Sequence, residues 1–176
     1  MPNWCDNRIT IHGPKKYIRK IDKIVNENTN GDGLLNYMMP MPTELKDTTS
    51  PSSAAEKKQP VVDGFDNWYD WRVSNWGTKW ELCEFFGMDL QDPEDSDEAT
   101  ISFSCQSAWS PPLGALEYFD MNTECSVKCS YYEGGMDFMG IWSSDEGDRC
   151  WSISDTAPRS DDPWWGTPEG IELDGD

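Results

Sequence analysis

Apolar and polar residues alternate over positions 8–12 (Arg-Ile-Thr-Ile-His), the period of a half-buried strand, and Gly13-Pro14 closes the pattern. From Lys15 the spacing changes to three and four: Tyr17, Ile18, Ile21, Ile24 and Val25 line one face of a predicted helix. Pro14 suits its start, because the first helical N–H needs no internal partner. Lys15, Lys16, Arg19, Lys20 and Lys23 fall on the other face, a solvated surface that is also able to meet an acidic one. Residues 34–42 are apolar but hold two prolines one residue apart, so an extended segment packed on the core is expected. Residues 46–60 lack any large apolar group and read as a mobile loop.

Beyond the centre of the chain, residues 82–88 form a short apolar run that predicts a strand. Residues 89–98 follow with six acids, no base and a single apolar side chain, an exposed acidic loop. Ile101, Phe103 and Cys105 then alternate with polar residues as a strand, and Ser110-Pro111-Pro112 opens a helix, with the serine able to cap. Leu113, Leu116, Tyr118 and Phe119 are its expected buried face. Val127, Cys129 and Tyr131 alternate again, Glu133-Gly134-Gly135 turns the chain, and residues 136–142 return as a hairpin; residues 150–154 add a further strand. The remainder, 155–176, is an irregular acidic tail carrying Trp164 and Trp165. Strand, helix, insertion, strand, strand, helix, strand is the order of a ferredoxin-like split βαβ unit. The expected fold is therefore α+β: a single domain over 1–154 with a mostly antiparallel sheet, two main helices on one face and extra C-terminal hairpin strands.

Charge divides the chain unevenly. Up to Lys79 eleven Lys/Arg face ten Asp/Glu; from Trp80 onward three face twenty-three, and the net charge is −19. A pI near 4.2 argues against direct contact with nucleic acid or an anionic membrane and favours basic partners. Hydrophobic residues make up 36% and aromatic ones 12%, so large rings must supply much of the core. Six cysteines follow a start that has neither a basic nor an apolar leader, and no apolar run approaches the ~20 residues of a membrane span, so a cytoplasmic chain with reduced thiols is expected.

The junction between the two halves, residues 67–81, holds Trp68, Trp71, Trp76 and Trp80. Together with Pro2-Asn3-Trp4-Cys5-Asp6-Asn7, Met39-Pro40-Met41-Pro42, Asn75-Trp76-Gly77-Thr78-Lys79-Trp80 and Ala108-Trp109-Ser110-Pro111-Pro112, this stretch resembles the YubB-like, Api-type proteins of phages, prophages and plasmids. The motifs run in the same order over roughly residues 1–142. The resemblance implies a ferredoxin-like domain of mobile-element origin. It brings no biochemical activity and no catalytic residues.

Trp71, Trp76, Lys79, Trp80 and Trp109 are the candidates for a ligand pocket, although rings this frequent in a chain poor in aliphatics more often form core. Cys125 and Cys129 lack the second pair of a zinc motif, His12 is the single histidine, and no nucleophile motif surrounds any serine or cysteine, so neither metal ligands nor catalytic residues are nominated and no cofactor is expected. The acidic half carries the clearest functional signal, with Asp92, Glu94, Asp95, Asp97 and Glu98 in front and Asp145, Glu146 and Asp148 behind. The leading expectation is a non-enzymatic accessory protein of a phage or related element. It would bind and inhibit a basic, nucleic-acid-handling host protein, with the acidic face acting as a DNA mimic. The alternatives are a domain that binds or degrades a nucleotide or signalling molecule at the tryptophan centre, and a carbohydrate-binding module.

Overall fold

The structure is a computed structural model that describes residues 3–27 and 33–155. Strand β1 (Trp4–Pro14) lies at its centre and is longer at both ends than the alternation over 8–12 predicts. The cause is pairing on both edges. β1 meets β3 (Glu98–Ala108) from Trp4↔Ala108 to Pro14↔Glu98, and β4 (Ser126–Glu133) from Asp6↔Tyr132 to His12↔Ser126. Gly13 is needed in the last step, where a Cβ would stand 2.8 Å from the Cys125 sulfur. With β2 (Cys83–Gln91), β5 (Phe138–Ser143) and β6 (Gly147–Ser152), the strands form a six-stranded open sheet in the order β2-β3-β1-β4-β5-β6, every neighbouring pair antiparallel. The protein is α+β.

Side chains at alternate positions point to opposite faces of a sheet. Ile9, Ile11, Ile101, Phe103, Cys105, Val127 and Cys129 share the inward face, where Ile18, Ile21 and Val25 of α1 (Lys15–Glu27) and Ala115, Leu116 and Phe119 of α4 (Leu113–Asn122) meet them. Each fully buried Ile, Leu or Phe contributes about 1.5–3 kcal/mol. The opposite face carries Arg8, Thr10, Ser102, Ser104, Lys128 and Ser130, none of them buried. Two helices were expected on the core side, and the long insertion adds two more, α2 (Leu34–Met38) and α3 (Trp68–Asn75).

Four local expectations change. α2 is helical where an extended segment was predicted, because the prolines at 40 and 42 restrict the chain only from Met39 onward, which is extended. Its first N–H groups, on Leu35 and Asn36, donate to the Glu81 carboxylate at 2.8 Å each, a cap 45 residues distant. α4 starts at Leu113 without a serine cap; the Ser110 hydroxyl instead donates to the Gly77 carbonyl. Tyr118 is 41% exposed, since it lies two residues from Leu116 and therefore on the other side of the helix. The acidic segment 89–98 is mostly strand at its margins: Asp89, Leu90 and Gln91 end β2, Glu98 begins β3, and the turn proper is 92–97.

β2 is an edge strand with two register shifts, at Cys83/Phe86 and Phe86/Asp89, around positive φ at Glu84 (52°) and Gly87 (61°). Such bulges twist an edge away from further pairing, which explains why the apolar run predicted at 82–88 leaves Phe86 half exposed. Residues 46–60 contain a 3-10 turn at Ser52–Ala54, and Gln59 donates to the carbonyls of Thr49 and Asp66 at 2.9 Å each. Trp164, Trp165 and the tail after Asp155 lie outside the described residues. Among those described, no helix is long and apolar enough to cross a membrane.

Candidate functional site

The strand registers place the candidate residues at two opposite ends of the sheet, about 34 Å apart along an eleven-residue strand. Pro14↔Glu98 and His12↔Ser126 set the first end, and Lys128↔Ser143 brings the β5–β6 turn to it. Both acidic segments therefore project the same way. The β2–β3 and β5–β6 hairpins are four interstrand steps apart, about 19 Å.

At this acidic end the eight predicted residues divide evenly. Asp92 is held by Arg19, whose Nε donates at 2.7 Å, and by Lys15 at 2.9 Å. Hydrogen bonds from Arg19 and then Lys15 hold its carboxyl down at about 2. Lys15 also donates to the Pro93 carbonyl through its ammonium and to the Asp97 carbonyl through its backbone N–H. The basic face of α1 thus clamps the turn. Glu98 faces His12 at 3.3 Å, Glu146 accepts from Arg149 at 2.6 Å, and Asp148 accepts from the Tyr131 hydroxyl at 2.6 Å. Burial, then the bond to Asp148, raises the Tyr131 pKa, so that phenol remains a donor. Glu94, Asp95, Asp97 and Asp145 are exposed, and their carboxylates make no ion pair among the described residues. A hollow of about 460 Å³ between His12, Gln91, Asp92, Ser96, Glu98 and Thr100 sits under the turn.

At the other end, marked by Trp4↔Ala108, the five pocket candidates separate into core and surface. Trp71 and Trp76 are buried, meet edge to face at 5.8 Å, and Trp76 Nε1 donates to the Met39 carbonyl at 2.8 Å. They are not available to a ligand. Trp80 and Trp109 are 36% and 39% exposed, with the Lys79 ammonium between their rings, 3.9 Å from one centroid and 4.3 Å from the other. Four residues not nominated from sequence extend this surface. Trp4 packs on Trp80 at 6.1 Å, and Tyr69 bridges Trp109 (6.4 Å) to Trp68 (5.8 Å). Arg72 then lies between Trp68 and Trp76, 5.3 and 4.7 Å from their centroids. The signal for this second sandwich was present: Trp68, Arg72 and Trp76 stand four apart, neighbours on one helix face.

This surface is held rigidly. Asn67 caps α3 by accepting from Asp70 N–H at 2.9 Å. Gly77 takes φ +87°, and a Cβ there would stand 3.0 Å from the Pro111 carbonyl. The buried Thr78 hydroxyl donates to the Ala108 carbonyl at 2.8 Å, and Trp109 N–H donates to Asn3 at 2.9 Å. Trp109 itself has φ +71°, an unfavourable conformation for a bulky residue that persists because the segments on both sides are fixed. The motif segments around Trp4, 39–42, 67–81 and 108–112 therefore gather at one end of the fold.

Three of the thiols, Cys5, Cys105 and Cys129, are buried in the core. Burial pushes Cys5 up to about 12 and Cys105 and Cys129 well above their ordinary value, which keeps them protonated. Among the described residues no three His, Cys, Asp or Glu side chains converge as metal ligands.

No protein-family model and no curated protein matches the chain. Among solved structures, the chain is similar to the crystal structure of the protein api92 from Yersinia pseudotuberculosis, ascribed to the DUF1281 family, at 10% identity with a TM-score of 0.46, covering 86% of this chain and 99% of that one.

Proposed function

We propose that this chain is a non-enzymatic accessory protein of a phage or related mobile element, acting in the host cytoplasm, and that its acidic end binds and inhibits a basic, nucleic-acid-handling host protein. Its frame is the ferredoxin-like split βαβ unit, β1-α1-β2-β3-α4-β4, with the β5–β6 hairpin appended. The reading rests on one observation: Glu94, Asp95, Asp97 and Asp145 stand exposed at the same end of the sheet, in turns about 19 Å apart, and their carboxylates form no ion pair among the described residues. That spacing exceeds two Debye lengths of about 8 Å at physiological salt, so the turns address separate basic groups on a partner of protein size. Asp92 is not a contact in this reading. It is the anchor by which Lys15 and Arg19 present the turn. A partner groove built for phosphates would be met by carboxylates already fixed in place, giving fast association with steep salt dependence.

Capture from host lysate at low and high salt tests this. Basic nucleic-acid-binding proteins should be retained at low salt, released at high salt, and lost when Glu94, Asp95 and Asp97 are neutralised together. Retention that ignores both salt and the triple variant would overturn the reading.

A further inference from the structure

The row of rings and cations at the opposite end has a different chemistry from the rest of the chain. We propose that it is a binding site for a nucleoside phosphate, in which a flat base stacks on the exposed indoles while its phosphate meets Lys79 and Arg72. The site is independent of the acidic-end reading.

The first support is electrostatic. This chain holds 33 acids against 14 Lys/Arg, so a cation inside its fold has abundant carboxylates within reach in principle. Lys15, Lys16, Arg19, Lys23 and Arg149 are each paired with one. Lys79 and Arg72 are half-buried and lie against aromatic faces, and neither forms an ion pair among the described residues. Arg72 Nε is buried without an acceptor among the described residues, and burial lowers the pKa of its guanidinium, with Glu81 opposing that shift. Glu81, the nearby acid, has both oxygens committed to Leu35 and Asn36. Arg72 Nε is too enclosed for a ligand to reach, but the guanidinium carries further N–H donors, and an oxyanion is the group that pairs with them.

The second support is shape. Trp4, Trp80 and Trp109 are each between 36% and 39% exposed, so more than one indole offers area for stacking. A base stacks favourably on an aromatic side chain whatever its identity, because every base has a π-face. The Trp109 backbone is fixed by its N–H bond to Asn3, and its ring packs against Tyr69 and Lys79, which lowers the ordering cost on binding. A neutral sugar would stack equally well but would leave both cations without a counter-charge. A nucleic-acid polymer would bring many phosphates to a chain of net charge −19, whereas a mononucleotide brings a single phosphate group to Lys79 and Arg72.

Titration of the full chain at constant ionic strength, followed by tryptophan fluorescence and by the indole N–H resonances, separates the components. The probes are AMP, adenosine, inorganic phosphate and a neutral oligosaccharide. AMP should saturate and bind about tenfold more tightly than either adenosine or phosphate, since stacking and charge-assisted hydrogen bonds combine. Lys79→Gln and Arg72→Gln should each bring AMP towards the adenosine affinity without changing adenosine itself, and Lys79→Arg should retain binding. Lys79 lies at the surface, so its variants report even where the Arg72 variant melts early. AMP binding no tighter than adenosine, AMP binding unchanged in Lys79→Gln, or a preference for the oligosaccharide would overturn the proposal. Loss of AMP binding leaves lysate capture unaffected, and the reverse holds, so the two proposals fail separately.

Discussion

The two ends of the sheet place charge in opposite ways. At the acidic end, cations of α1 are used internally, drawn onto Asp92 to fix a turn whose remaining carboxylates face water. At the aromatic end, Arg72 and Lys79 lie among indoles and the acids are committed elsewhere, Glu81 to α2 and Asp70 to Asn67. The first end is a hairpin turn held by side chains and needs little core. The second is continuous with the core through Trp71 and Trp76. A surface that rests on the core cannot be altered without a stability cost, whereas the exposed turn can be rewritten freely.

That contrast is broken most severely by removing the shared wall. Trp76→Ala should cost about 3–5 kcal/mol in denaturant unfolding, because it empties a fully buried site and leaves the Met39 carbonyl without its donor. A cost below about 1 kcal/mol would mean that the aromatic end is a superficial attachment. Thr78→Val should cost about 0.5–1.5 kcal/mol by removing one of the two hydrogen bonds to the Ala108 carbonyl, which keeps its bond from Ser110 N–H, and it should disturb the Trp109 indole resonance more than any resonance of the 92–97 turn.

Changes at the acidic end should spare stability and alter association. Neutralising Glu94, Asp95 and Asp97 should slow association with a basic protein about tenfold at low salt and flatten its salt dependence, with the melting temperature nearly unchanged. The smallest effect concerns Asp92. Its folded pKa, about 2, lies below the ordinary carboxylate value, so the stabilisation from its two cations is fully present above that ordinary value and is lost as pH falls through it towards 2. Carboxyl titration by NMR should show a midpoint near 2 that rises in Arg19→Gln. An ordinary midpoint in the unaltered chain would dissolve the clamp.

Periodicity carried most of the frame. The alternations at 8–12, 101–105 and 127–131 are the inner faces of β1, β3 and β4, and the spacing of Ile18, Ile21 and Val25 is the buried face of α1. These patterns survive because each records burial against a whole neighbouring layer. Features fixed by single distant contacts were not legible: the Glu81 cap on α2, the Lys15–Asp92–Arg19 clamp, and the extension of β1 by partners on both sides. Half of the acidic candidates proved internally committed for the same reason, since composition counts charges without showing which cation the fold brings to each. The tryptophan centre was legible as a cluster, yet its division into buried Trp71 and Trp76 and exposed Trp80 and Trp109 required the sheet. Arg72 was missed although its spacing of four from two indoles was on view.

One titration addresses the central division between the ends. Backbone amide and indole resonances of the full chain would be followed with a decalysine peptide and, separately, with AMP. The peptide should move residues 92–97 and 144–146 and leave the tryptophans still, while AMP should move residues 68–80 and Trp109 and leave the turns still. Both ligands shifting the same set of residues would contradict the account.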